Sequence, residues 1–238
     1  DIIETALILG AHGWREYDQD AERILRAHLL PSQLIDISFV EEPDNPRGED
    51  GLRDLANRHQ GAWGFPAPYG HDPVGEGRGN LSFNMDIVGG VVSSLCEALS
   101  AILAYDDGLH RIRLLMEHET DEMTLGVPYA HEDSADVLSI TVKRPGEVLV
   151  QLPAWVQTDQ IRLDPAHTDF TIDSTGLRIG GLAVNQTVGV RFPLPETQIT
   201  LTHHHDHPIE VLLCGDRVTA MDSLGAKLTF FPDLEPKR

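Results

Sequence analysis

His203-His204-His205-Asp206-His207 is the densest run of potential metal ligands in the chain. Drawn out as a strand, it puts His203, His205 and His207 on one face, and three imidazoles suit zinc or nickel. The spacing matches no established ligand pattern, however, and Pro208 follows at once, so the run reads as an exposed turn and no metal is expected. Glu4 stands on an otherwise apolar helix, where an unpaired charge is costly to bury. It is either a functional acid or a carboxylate hydrogen-bonded to the long loop further on. Trp63 and His71 fall in a tip, Gln60 to His71, that mixes aromatics with glycine and proline. Such a platform stacks on sugar rings, or else Trp63 and Phe65 merely anchor the loop on the helices. The chain carries no nucleophile elbow, P-loop or dinucleotide fingerprint, and no cofactor is expected. Asn185-Gln186-Thr187 fits a glycosylation sequon, which matters only in a secretory setting.

With 38 acidic and 18 basic residues the net charge is −20. Nucleic-acid binding rests on Lys and Arg neutralising phosphates, so no nucleic-acid partner is expected. An anionic membrane surface is disfavoured for the same reason, and no apolar run is long enough to span a bilayer. A neutral ligand such as a sugar fits, and so does plain solubility. Cys96 and Cys214 make neither a disulfide framework nor a zinc site and read as small buried hydrophobes. No positively charged n-region with an h-region is visible, which favours the cytoplasm over secretion. The sequence opens Asp-Ile-Ile-Glu inside an apparent element, as a processed chain or a fragment would.

The elements that must position these residues divide at Asp107. Before it, the patterns are helical. Ile2 to Gly13 is apolar nearly all round, Asp18 is a fair N-cap for a second helix, and Ala21, Ile24, Leu25, His28 and Leu29 share a face of that helix. The short connector between them predicts an antiparallel hairpin. Ser32 to Gly90 is long and irregular, with a short helix within Leu52 to His59. Leu95, Ala98, Leu99, Ile102 and Leu103 then mark a helix face, with Asp86 a favoured cap at its start. Asp106-Asp107-Gly108 breaks it, and Ile112, Leu114 and Met116 alternate with Arg111 and Arg113 as a strand does. Short strands continue at regular spacing to Leu228–Phe231, which argues for an antiparallel β-sandwich. Residues 1–107 are thus expected to be helical and 108–238 a β-sandwich. So apolar an opening helix needs neighbours on every side, supplied by a symmetry mate or by a segment preceding Asp1.

The order of these residues resembles a known family. Glu4-Thr5-Ala6, a second helix ending Leu29-Leu30-Pro31-Ser32-Gln33, a long loop, Asp86-Ile87-Val88-Gly89-Gly90, an alanine-bearing helix and Asp107-Gly108 are similar to the β-L-arabinofuranosidase family of glycoside hydrolases. Val148 to Trp155, Leu177 to Leu182 and Val188 to Leu194 extend the likeness over nearly the whole chain. The resemblance implies an α+β multidomain protein, part of an (α/α)₆ toroid of six helical hairpins followed by an antiparallel β-sandwich. In that family a Glu-Thr-Cys and a later Cys-Cys supply thiolates to zinc, one of them the nucleophile. Here Ala6, Gly89 and Gly90 occupy those positions and can neither ligate nor attack. Glu4 keeps the acidic ligand, but one carboxylate does not hold a zinc. The family's acid/base glutamate falls upstream of Asp1.

What the resemblance leaves is carboxylate chemistry. A glycosidase sets two carboxylates across a cavity. At the toroid mouth these would be Glu4 and Asp86, as catalytic residues, though Asp86 fits a helix cap equally well. Helix ends line a toroid pocket, so His12 and Trp14 join Trp63 and His71 as candidate substrate contacts, a packed-core role for the first two being the alternative. The expected function is a glycoside hydrolase acting on carbohydrate. The alternatives are a non-catalytic sugar-binding or subunit-supporting member, or an inactive fragment.

Overall fold

A computed structural model describes residues 1–33, 35–38, 42, 44–50, 53–63, 85–127, 137–202, 208–222 and 231–234, with backbone alone for 55, 59, 85–89 and 137. The tip from residue 64 to His71, the 203–207 histidine run and residues 228–230 lie outside them. Contacts divide the chain into two units: Asp1–Ile24, Ser94–Thr197 and Leu213–Arg217 in the first; Leu25–Ser93, Gln198–Leu212 and Val218–Arg238 in the second.

Helix α1 (Ile2–Ala11) and helix α2 (Glu16–Ile24) pack together, as their short connector requires. The α1 residues Ile3, Ala6, Leu7 and Gly10 are buried, while Ile2 and Ile8 face outward at 72% and 59% exposure. Gly10 makes room for α2: a Cβ there would run into the Asp18 carboxylate. Asp18 is not a cap. It lies inside α2, and with Glu22 one turn later it forms an acidic stripe that is buried along with Ala21 and Leu25. A π-helical turn, Leu25–Leu29, continues the chain into the second unit, where α3 (Leu55–His59) supplies the expected short helix.

Helix α4 (Met85–Ile102) buries Val91, Ser94, Ala98, Ala101 and Ile102. The expected face is rotated: Leu99 is 53% exposed and Cys96 is exposed too, not a buried hydrophobe. Small residues let a neighbouring backbone approach closely, so packing chose Ser94 and the alanines over the bulkier side chains. The helix also ends sooner than expected. Strand β1 (Leu103–Asp106) pairs with β2 (Leu109–Ile112), so Asp107-Gly108 is the tip of a hairpin. Both tip residues have positive φ, 50° and 77°, as a two-residue hairpin turn of this hand demands.

The remaining strands are β3 (His118–Glu119), β4 (Met123–Gly126), β5 (Val137–Val142), β6 (Gly146–Val150), β7 (Arg162–Asp164), β8 (Phe170–Asp173), β9 (Gly176–Leu182), β10 (Thr187–Arg191), β11 (Glu196–Leu201), β12 (Ile209–Cys214) and β13 (Arg217–Met221). They form two five-stranded sheets, β1-β2-β6-β9-β8 and β3-β4-β5-β10-β7, and a three-stranded sheet, β11-β12-β13. The chain is therefore α+β. Within the two five-stranded sheets the pairings are antiparallel except β2 with β6, which is parallel. Buried residues line up across the strands: Ile112 beside Val150 beside Leu177, and His110 beside Val148 beside Ile179. In the second sheet Leu125, Ile140 and Val188 make a similar row. Each aliphatic side chain in these rows contributes about 1.5–3 kcal/mol on burial. Trp155 packs beside Phe192 at 5.9 Å, and its Nε1 donates to Asp216, which also accepts from Arg23 Nε. Among the described residues no helix is long and apolar enough to cross a membrane.

Candidate functional site

Glu4 lies on α1, its side chain 27% exposed, and accepts a hydrogen bond from Ser94 Oγ of α4 at 3.1 Å. The sequence left Glu4 as a functional acid or as a partner of the long loop; among the described residues its hydrogen-bond partner is on a helix. Asp86 is in the first turn of α4 by its backbone, and its side chain is outside those described. His12 ends α1 exposed, its Nδ1 2.8 Å from the Ile8 carbonyl of the same helix. Trp14 follows in the α1–α2 connector, 54% exposed. Trp63, in the second unit, is 8% exposed, and its Nε1 donates to Leu29 O at 2.8 Å, which is an anchoring geometry. His71 and the 203–207 run lie outside the described residues, among which no three His, Cys, Asp or Glu side chains are placed to hold a metal ion.

A cavity of about 400 Å³ opens in the first unit, one residue past Trp14. The start of α2, the segment after β6 and the β8–β9 turn enclose it. Arg15, Glu16 and Gln19 come from the first, Gln151 and Pro153 from the second, Asp173 and Thr175 from the third. Side chains tie these walls together. Arg15 donates to Thr175 O at 3.0 Å, Gln151 Nε2 donates to Arg15 O, and Gln19 Oε1 accepts from Ala154 N at 2.9 Å. Gly176 is required at the rim: its φ is +131°, and a Cβ would meet the Val150 carbonyl.

Behind the cavity stands Asp18. Its carboxylate receives Arg113 Nη2 at 2.5 Å and Nε at 3.2 Å, while the same Nη2 also donates to Leu7 O at 2.8 Å. Burial raises the Asp18 carboxyl above its ordinary value, and Arg113, with smaller contributions from Arg15 and Gln151, pulls it back in part. On the cavity wall the balance is reversed. Hydrogen bonds from Thr175 lower the Asp173 carboxyl, so it stays ionised as an acceptor. The sequence did not mark these residues as a cavity lining: Arg15 and Glu16 fall in the short connector between the first two helices, and Gln151 and Pro153 counted only within the Val148–Trp155 run. The sole local signal was polar residues directly after Trp14.

No protein-family model and no curated protein matches the chain. Among solved structures, it is similar to a GH127 β-L-arabinofuranosidase from Geobacillus stearothermophilus T6, with 16% identity over 53% of this chain and 22% of that one and a TM-score of 0.37. It is also similar to a structure described as a glycoside hydrolase, with 12% identity over 86% of this chain and 34% of that one and a TM-score of 0.49. The chain thus spans about a third or less of the length of either structure.

Proposed function

We propose that the protein is carbohydrate-active, of the glycoside hydrolase type, with its helices part of an α/α toroid and its strands a β-sandwich. The observation that carries the reading is Glu4: a carboxylate three-quarters shielded on a helix that buries Ile3, Ala6 and Leu7, held by the neutral hydroxyl of Ser94. A carboxylate so placed is oriented without being bound to a buried arginine, as general acid or base work requires. Ile2 and Ile8, open on the outer side of α1, fit the expectation that further helices cover it. Turnover of aryl glycosides and neutral oligosaccharides by the chain, followed by reducing-sugar release, tests this reading. Glu4→Gln is expected to lower any such turnover by about 10²-fold or more. Unchanged turnover in that variant removes Glu4 from the chemistry.

One observation favours a second reading, sugar binding without hydrolysis. Asp173 is held ionised by Thr175 and so accepts hydrogen bonds well but donates a proton poorly.

A further inference from the structure

We propose that the cavity between the start of α2 and the β8–β9 turn is a carbohydrate-binding site in its own right, separate from Glu4, and that it takes a neutral sugar unit. The proposal rests on the carbohydrate reading above and narrows it to a place and a ligand class. Three features argue for it.

The walls are set before any ligand arrives. Arg15 to Thr175, Gln151 to Arg15 and Gln19 to Ala154 join three separate stretches of chain through side-chain-to-backbone bonds. A site already closed in this way loses little freedom on binding. Its volume of about 400 Å³ lies within the usual ~300–1,000 Å³ of small-ligand sites.

The lining also keeps polar capacity in reserve. Glu16 and Ser174 face the cavity and make no side-chain hydrogen bond among the described residues. Gln19 uses its carbonyl oxygen on Ala154, which leaves its two amide N–H donors. A carboxylate, a hydroxyl and an amide together match ring hydroxyls, each of which donates and accepts. Between them Pro153, Val156 and Ile172 offer apolar surface for the C–H face of a sugar ring.

Charge selects against acidic sugars. Glu16 and Asp173 bring two carboxylates to the cavity, whereas Arg15 has already turned its guanidinium to the Thr175 carbonyl. The whole chain carries −20 besides. A uronate entering here meets two carboxylates against the single guanidinium of Arg15.

The test uses the full chain with xylotriose, cellotriose and maltotriose as neutral probes, and trigalacturonate and deacetylated chitotriose as charged ones. Binding is measured by calorimetry, and its place by amide shifts in labelled protein. A neutral trisaccharide is expected to bind and to move the amides of Thr158, Asp173, Ser174 and Thr175. Ser174→Trp, an exposed turn position that fills the cavity, is expected to weaken it at least about tenfold, and Glu16→Gln about threefold. If Ser174→Trp fails to fold by circular dichroism, the amide shifts of the unaltered chain decide the question. Neutral-sugar binding that survives a folded Ser174→Trp, or that moves other amides, overturns the cavity as the site while leaving the carbohydrate reading standing. Binding of only the charged probes overturns the ligand class. No binding by any of the sugars overturns this site and counts against the wider reading as well.

Discussion

Glu4 and Asp18 sit on the two helices of one hairpin, and the fold treats their carboxylates in opposite ways. Asp18 is 1% exposed and takes two hydrogen bonds from Arg113; Glu4 is 27% exposed and takes one from a serine. The first carries a full opposite charge and ties α1, α2 and the segment after β2 into one corner, because the same guanidinium reaches Leu7 O. The second is steered by a neutral hydroxyl on one oxygen, while the exposed Asp1 ammonium lies 3.7 Å from the other. Acidic residues that look alike in sequence are thus sorted by what faces them: a guanidinium makes a structural strut, whereas a hydroxyl only orients a partly exposed carboxylate. The Arg113 corner also stands behind Gln151 and Arg15, so the strut holds the back wall of the cavity.

Removing the cation should break this contrast most severely. Arg113→Met leaves Asp18 buried and unpaired, and the expected loss is about 3–5 kcal/mol, read from urea denaturation. Gly10→Ala attacks the same corner sterically by driving a methyl into the Asp18 carboxylate; about 1–3 kcal/mol of destabilisation is expected on thermal melting. Asp18→Asn should cost less than Arg113→Met, about 1–3 kcal/mol at neutral pH, since Arg113 at 19% exposure still reaches water. It should also change the pH dependence. Burial lifts the folded-state pKa of Asp18 above its ordinary 3.8, so between the two values the folded chain keeps a proton that the unfolded chain has released. This group's contribution is greatest below that value and declines as pH rises through the folded pKa. Asp18→Asn removes the decline, and denaturation midpoints across a pH series would reveal it. Smallest of all is Ser94→Ala, expected to cost about 0.5–1.5 kcal/mol, with Glu4 left hydrated. A loss from Ser94→Ala as large as that from Arg113→Met would erase the distinction between the two carboxylates.

Local periodicity made the strands legible. The short, regularly spaced strands expected after Asp107 are there; the Leu177 run falls inside β9, and the Val188 run overlaps β10 and continues past it. Alternation is a property of neighbours in sequence, so it survives without the fold. The α4 face was misjudged because size, not polarity, decided it, and Ser94 is polar yet buried. Asp18 looked like a cap because its partner, Arg113, is 95 residues away. The cavity was hidden for the same reason: Arg15 meets Thr175 across 160 residues, and no spacing rule reaches that far. The break at Asp107-Gly108 was legible from its residue types, but its form as a hairpin tip needed the two positive φ values and the β1–β2 pairing to be seen.

The parallel pairing of β2 with β6 has a practical result. The strands β3, β4 and β5, which belong to the other sheet, are strung along the chain between them. During synthesis the β1–β2 hairpin must wait, one edge open, until residues 146–150 leave the ribosome. For protein engineers it means that the β8–β9 turn cannot be lifted out with its own sheet as a contiguous cassette. Any graft that takes β2 and β6 together must bring the other sheet's first three strands with it.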